Sequence, residues 1–166
     1  LVDLVRRHSP IRVGFAFGAP YFRMVRDLSR TLRTQTDSPI LWGGVFPTVC
    51  PEDCVEHTDF VCVGEGEDLT TGLAKAIRNN DSFEKLPGLW HKTEDGVISN
   101  PPAPLNQNLN ALPFPDYQLD NSYFIEDGRI SRTDPIAQTV EYRIYPTRGC
   151  PYSCTYCIAP FFYGKK

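Results

Sequence analysis

The sequence predicts an α/β protein whose core is a partial, doubly wound, Rossmann-like parallel sheet. Three short apolar segments, over residues 11–17, 39–44 and 59–63, have the length and composition of buried strands. Each is followed by a predicted helix, and in the first and third of these helices the apolar residues recur at helical spacing. Because strands that alternate with helices pair in parallel through right-handed crossovers, this order indicates a doubly wound sheet.

The helices of this region are predicted over residues 21–34, 51–57 and 68–79. The second begins with Pro51 and has acidic residues in its first turn, and both features favour a helix start. The first helix carries a stripe of arginines beside its apolar face. We interpret the stripe as a solvated face, with a docking surface for another domain as the alternative. Its members are Arg23, Arg26, Arg30 and Arg33.

The chain changes character after residue 80. Segments 88–92 and 97–99 flank Thr93-Glu-Asp-Gly96, which predicts a hairpin with Asp-Gly in its turn. Five prolines within residues 100–116 then predict a semi-rigid linker, and residues 139–145 alternate as a strand does. We therefore predict three parts: a sheet domain at 1–80, a hairpin and Pro-rich linker at 81–116, and the beginning of a second domain at 117–166.

Composition and charge disfavour several classes of protein. The net charge of −3 argues against a large nucleic-acid footprint, which needs a surplus of Lys and Arg on one face. No apolar run approaches the ~20 residues that span a bilayer, and no secretory signal is recognisable. We therefore expect a cytoplasmic protein with no nucleic-acid partner and no membrane span. In that compartment, six cysteines indicate metal ligands or buried thiols rather than disulfides.

Three of the cysteines stand close together, as Cys150-Pro-Tyr-Ser-Cys154-Thr-Tyr-Cys157. This spacing places three thiolates on one tight loop, where they can bind three irons of a 4Fe-4S cluster. The fourth iron then has no ligand from the motif, and an open position is what a catalytic metal site needs. The alternative is a structural zinc site, but residues 100–166 contain no fourth Cys or His.

The motif resembles the signature of the radical S-adenosylmethionine superfamily, in which an aromatic residue, here Tyr156, precedes the last cysteine. The resemblance implies that Cys150, Cys154 and Cys157 bind a 4Fe-4S cluster and that S-adenosylmethionine binds the open iron. An electron from the cluster then cleaves S-adenosylmethionine to a 5′-deoxyadenosyl radical. The resemblance also implies that Tyr156 lies near the adenine and that residues 139–145 are the first strand of a (β/α) barrel.

The first half of the chain resembles the cobalamin-binding domain that precedes many of these barrels. Two phrases carry the resemblance, Gly43-Gly-Val-Phe-Pro-Thr48 and Val63-Gly-Glu-Gly-Glu67. Glycine after a strand also has the simpler interpretation of a turn. The resemblance implies instead that the cobalamin tail lies along the ends of the strands. Its candidate contacts are then Gly43, Gly44, Gly64 and Gly66.

Two features depart from that family. The chain has no Asp-x-His-x-x-Gly loop, which supplies the cobalt ligand in many members. It also has Ala16 where the family often has a serine. A serine hydroxyl can bond the cobalamin tail, whereas the alanine methyl cannot. The resemblance therefore predicts cobalamin binding without these two contacts.

We predict a fragment of a cobalamin-dependent-type radical S-adenosylmethionine enzyme that methylates an unactivated carbon or rearranges a ring. Its small-molecule substrate is unknown, and its cluster needs an electron donor. The fragment alone is expected to be inactive because most of the barrel is absent. One alternative is a radical methylthiotransferase acting on RNA, which the acidic balance disfavours. Another is a non-catalytic iron-sulfur electron carrier or a zinc-stabilised binding module.

Overall fold

In the computed structural model, which describes residues 1–114, 122–132 and 147–163, the chain forms two compact units, residues 1–105 and 106–166. The first unit is described throughout. Its helices are α1 (Val2–His8), α2 (Phe22–Arg33), α3 (Val45–Val49), α4 (Pro51–Val55) and α5 (Glu67–Asn79). Its strands are β1 (Val13–Ala16), β2 (Ile40–Gly43), β3 (Phe60–Cys62), β4 (Leu89–Thr93) and β5 (Gly96–Ser99).

The five strands of the first unit form one sheet in the order β1-β2-β3-β4-β5. The first three are parallel, with Gly14 opposite Leu41 and Leu41 opposite Phe60. Strand β4 pairs antiparallel with β3, and β5 pairs antiparallel with β4. The α/β fold class predicted from the sequence is thereby confirmed.

The predicted hairpin is present, but it belongs to the sheet, whereas the sequence analysis grouped it with the linker. Burial explains the difference. Leu89 is fully buried opposite Cys62, and His91 is 5% exposed opposite Phe60. A lone hairpin is marginal in water, so β4 and β5 gain stability from the existing sheet. The three domain ranges of the sequence analysis stay predictions, although the sheet continues beyond residue 80 to Ser99.

Helices cover the two faces of the sheet unequally. One face packs against α1, α2 and α4 around Trp42, which is fully buried. Its indole Nε1–H donates to the Ser29 Oγ at 2.9 Å, which satisfies both buried polar groups. The other face packs against α5 through Leu69 and Leu73. On β1 that second face is exposed at Gly14 and Ala16, so one corner of the sheet has no helix over it.

The local sequence explains most of the helix boundaries. Helix α5 ends where Asn80 adopts a left-handed conformation, φ 57°, which is typical of a helix C-terminus. Helix α4 starts at Pro51, as predicted, and ends two residues before the predicted His57. The sequence analysis missed the single turn of α3, because Pro47 and the β-branched residues there disfavour a helix. No helix among the described residues is long and apolar enough to cross a membrane.

The second unit has little described core. It contains a hairpin of β6 (Phe124–Glu126) and β7 (Arg129–Ser131), and one short helix, α6 (Ala159–Tyr163). None of its described residues is buried. The predicted strand at 139–145 lies outside the described residues. The three clustered cysteines, Cys150, Cys154 and Cys157, lie among the described residues.

Candidate functional site

The carboxyl ends of β1, β2 and β3 border a groove of about 520 Å³ in the first unit. Parallel sheets bind ligands at this edge, and the volume lies in the range of small-molecule sites. All four glycines predicted as ligand contacts line the groove. Its lining comprises Gly14, Phe15, Ala16, Leu41, Gly43, Gly44, Cys62, Gly64, Gly66, Glu67 and Thr70.

The groove is open because small residues occupy the uncovered corner of the sheet. A Cβ added at Gly14 would meet no atom within 4 Å, so the space above this residue is free. Ala16 points to the same face two residues later, since side chains alternate along a strand. At Gly43 an added Cβ would lie 3.4 Å from the Cβ of Cys62. Larger residues at these positions would fill the groove.

Gly44 shapes the mouth of the groove through its backbone. Its φ is +93°, a conformation that L side chains rarely adopt. A Cβ there would lie 2.7 Å from the Phe17 backbone nitrogen and 3.0 Å from its oxygen. Around this close approach, the Phe17 N–H donates to the Gly43 carbonyl at 3.1 Å, and the Phe46 N–H donates to the Phe17 carbonyl at 3.2 Å. Only glycine allows the loops after β1 and β2 to meet this way.

Thr48 joins the loops after β2 and β3, and the sequence analysis assigned it no role. Its hydroxyl donates to the Gly44 carbonyl at 2.8 Å and accepts from the Gly64 N–H at 3.2 Å. The residue is 6% exposed, so water cannot readily replace these bonds. Thr48 therefore fixes the distance between two glycines that line the groove. Its place in the Gly-Gly-Val-Phe-Pro-Thr phrase was the available sequence signal.

Helix α5 begins at the groove. The Thr70 hydroxyl donates to the Gly66 carbonyl at 2.6 Å, and the Thr70 N–H donates to the same oxygen at 2.8 Å. Glu67 and Asp68 lie in the first turn, where carboxylates interact favourably with the helix dipole. A Cβ added at Gly66 would lie 3.7 Å from the Cys62 sulfur. Gly66 thus keeps the first turn of α5 close to the end of β3.

The floor of the groove contains a neutral thiol. Burial raises the pKa of Cys62, the charge of Glu67 adds to the rise, and Arg12 opposes both effects, so that the pKa lies at about 11. Burial also lowers the pKa of Arg12, while the nearby Cys62 raises it. Within the described residues, the buried Nη1 of Arg12 has no hydrogen-bond partner. The sequence analysis did not identify this arginine, because nothing in its sequence context distinguishes it.

The cysteine loop, residues 147–158, lies in the second unit and differs from the groove. Cys150 is half-buried, whereas Cys154 and Cys157 are exposed. The Cys157 N–H donates to the Cys154 carbonyl at 3.0 Å, and the Ala159 N–H donates to the Cys157 sulfur at 3.4 Å. Tyr156 is 90% exposed. Among the described residues, no three Cys, His, Asp or Glu side chains are grouped to hold a metal ion, so the cluster ligands stay a prediction.

Comparison with known proteins gives a family match within the first unit. Residues 1–74 match the family model of the B12 binding domain. The chain is 28% identical over 172 residues to the anaerobic magnesium-protoporphyrin IX monomethyl ester cyclase of Synechocystis sp., covering 99% of this chain and 32% of that protein. It is also 28% identical over 127 residues to the bacteriochlorophyllide d C-8(2)-methyltransferase of Chlorobaculum tepidum, covering 76% and 23%.

The chain also matches a solved structure of a radical S-adenosylmethionine enzyme. The radical S-adenosylmethionine methyltransferase TsrM of Kitasatospora setae matches with a TM-score of 0.55 and 26% identity, over 60% of this chain and 21% of that one. A second structure of that enzyme has cobalamin and a [4Fe-4S] cluster bound. The chain therefore spans a third or less of the length of these proteins.

Proposed function

We propose that this chain, which belongs to the radical S-adenosylmethionine proteins with an N-terminal cobalamin-binding domain, holds the tail of cobalamin in the groove at the ends of β1, β2 and β3. The observation that carries the proposal is the open corner of the sheet. There Gly14 leaves free space above β1, and positive φ values at Gly44 and Gly64 bring the loops close together. In addition, the buried Nη1 of Arg12 has no hydrogen-bond partner among the described residues, and the charge of Arg12 acts on the pKa of Cys62 in the groove.

Apart from Glu67, the side chains that line the groove are uncharged, and they suit a flat group. Leu41 is 4% exposed, and Ala16 and Gly14 present little side chain, so a ring can approach the sheet closely. The Cys62 thiol is neutral below its raised pKa of about 11 and adds no charge. Thr48 and Gly44 hold this shape through bonds within the protein, without help from a ligand. Such preorganisation lowers the cost of binding.

The second part of the proposal concerns the cysteine loop. Cys150, Cys154 and Cys157 would bind a 4Fe-4S cluster with one open iron, and Tyr156 would contact S-adenosylmethionine. When bound, these cofactors supply the reducing electron and the radical and methyl-transfer chemistry, while the protein binds and orients them. The whole protein would then methylate an unactivated carbon or rearrange a ring of a small molecule, with an external electron donor. Its relatives include both methyltransferases and a cyclase.

Equilibrium dialysis against methylcobalamin in the dark tests the first part of the proposal. We expect saturable binding of one equivalent per chain, with competition by excess cyanocobalamin. The matched variant is Gly14→Val, because valine suits a strand and fills space that is empty in the structure. It should keep the thermal stability of the unit and weaken binding about tenfold or more. Absence of binding by the folded wild-type chain would reject the proposal.

Anaerobic reconstitution tests the second part. The chain is incubated with ferrous iron and sulfide, and the iron bound after gel filtration is quantified together with the visible spectrum. We expect roughly four irons per chain and broad absorption typical of a cluster. Bound zinc without iron would instead support the zinc-stabilised module and contradict this part of the proposal.

A further inference from the structure

Arg12 has a buried donor without an acceptor. Its Nη1 has no hydrogen-bond partner among the described residues. Only one other buried side-chain nitrogen or oxygen in the described part of the chain, the Nε2 of His91, is in the same state. A guanidinium presents five N–H donors, and leaving one buried and unpaired costs free energy. Nearly all buried polar groups in native proteins have a hydrogen-bond partner, so an unpaired one needs an explanation, and a bound ligand that accepts its hydrogen bond is one such explanation.

Arg12 stands beside the groove. It directly precedes β1 and lies two residues before Gly14, so its side chain starts on the groove face of the sheet. The positive charge of Arg12 opposes the rise in the pKa of Cys62, which lines the groove at the end of β3. This starting face and this electrostatic effect together indicate that the side chain extends towards the corner of the sheet that α5 leaves uncovered.

The other side chains at the groove offer few donors to a bound ligand. The methyl of Ala16 cannot donate, and the Thr70 hydroxyl donates to the Gly66 carbonyl. The Thr48 hydroxyl donates to the Gly44 carbonyl. The nucleotide end of cobalamin needs such donors, because its phosphate and its base nitrogen accept hydrogen bonds. The unpaired donor of Arg12 has the chemistry that these acceptors need.

We propose that Arg12 recognises the nucleotide end of bound cobalamin and donates a hydrogen bond from its guanidinium to a phosphate oxygen or a base nitrogen. The proposal rests on the proposed function, since it assigns a contact within the same groove. Arg12 would thereby distinguish complete cobalamin from corrinoids that lack the nucleotide. It would also supply the polar contact to the tail that Ala16 cannot make.

Binding of two corrinoids to matched variants tests this proposal. Dissociation constants are measured for cobalamin and for cobinamide, which lacks phosphate, ribose and base, with the full 166-residue chain. Arg12→Met keeps the length and apolar stem of the side chain without its donors. We expect Arg12→Met to weaken cobalamin binding between about tenfold and a hundredfold, since hydrogen bonds of charged groups have this strength. Cobinamide binding should stay within about twofold.

A second variant and a third ligand sharpen the result. Arg12→Lys keeps the positive charge as a point donor, so it should restore much of the affinity if phosphate is the acceptor and little of it if the base is. Cobinamide phosphate, which lacks the base, should bind the wild-type chain like cobalamin in the first case and like cobinamide in the second. Both cases support the proposal. They differ only in the acceptor.

Two outcomes would overturn the assignment. Equal weakening of cobalamin and cobinamide by Arg12→Met would show a role in shaping the groove alone. An unchanged affinity of Arg12→Met for both ligands would show that Arg12 does not contact the tail. If Arg12→Met melts far below the wild-type chain, the constants for Arg12→Gln, which has a shorter and uncharged side chain, decide in the same way. Failure of the wild-type chain to bind cobalamin would reject the proposed function itself, which is a separate result.

Discussion

The groove and the cysteine loop are two regions of one chain whose geometry has different origins. The groove is held by the protein alone, through the Thr48 bonds between Gly44 and Gly64 and through a sheet with a buried core. The cysteine loop has exposed thiols at Cys154 and Cys157, and no described residue of its unit is buried. The difference teaches that a site made by backbone packing exists before its ligand, whereas a thiolate site often forms only with its metal.

The largest expected effect is on the cysteine loop. Cys154→Ala removes one of three thiolates, and a cluster held by only two protein ligands should not survive gel filtration. Bound iron should fall from roughly four per chain to near zero after reconstitution. Because the groove is formed separately, methylcobalamin affinity should stay unchanged. Loss of both cofactors together would contradict the independence of the two regions.

The next effect concerns the groove scaffold. Gly44→Ala places a Cβ 2.7 Å from the Phe17 nitrogen and forces alanine into a φ of +93°. Strain and overlap together should lower the free energy of unfolding by about 2–4 kcal/mol. Urea denaturation followed by tryptophan fluorescence measures it, because Trp42 reports on the core of the same sheet. Gly14→Ala is the control, since its methyl enters open space and should leave stability equal or slightly higher.

A smaller effect should follow from Thr48→Val. The isosteric methyl removes the bond to Gly44 and leaves the half-buried Gly64 N–H without its acceptor, at a cost of about 1–3 kcal/mol. Exchange of the Gly64 amide with deuterium should also accelerate. Thr48→Ser keeps the hydroxyl and should retain most of the protection. Equal exchange rates in the valine and serine variants would show that the hydroxyl does not hold the two loops together.

The smallest expected effect is a pH dependence of the groove. Burial raises the pKa of the Cys62 thiol from 9.0 to about 11, so the folded state keeps a proton that the unfolded state loses. The stability from this group is therefore complete below pH 9 and is lost as pH rises towards 11. Urea midpoints at pH 8 and pH 10.5 should differ more for the wild-type chain than for Cys62→Ala. Identical differences would contradict a thiol titrating in the groove.

The same contrast explains what the sequence could predict. Apolar segments followed by glycines predicted β1, β2 and β3 and the edge at which Gly43 and Gly64 meet, because parallel order fixes which strand ends lie together. The spacing of the cysteines predicted a chemistry, because thiolate geometry is encoded within eight residues.

Other features depend on contacts between residues far apart in sequence. Thr48 and Gly64 are separated by 16 positions, and the pairing of β4 with β3 depends on burial of Leu89 and His91. The orphaned donor of Arg12 is likewise a property of packing around its side chain. No local sequence pattern predicts these contacts, because each results from how separate elements pack.

Protection of cysteines from mixed-disulfide formation tests the central claim most directly, since the chain has one thiol in the groove and others in the loop. The iron-free chain is treated with a small methanethiosulfonate reagent in the dark, with and without saturating methylcobalamin, and labelling of each cysteine is quantified by mass spectrometry. If the groove holds the cofactor, labelling of Cys62 slows about tenfold or more, while labelling of Cys154 and Cys157 is unchanged. Unprotected Cys62 in the presence of bound methylcobalamin would contradict the account.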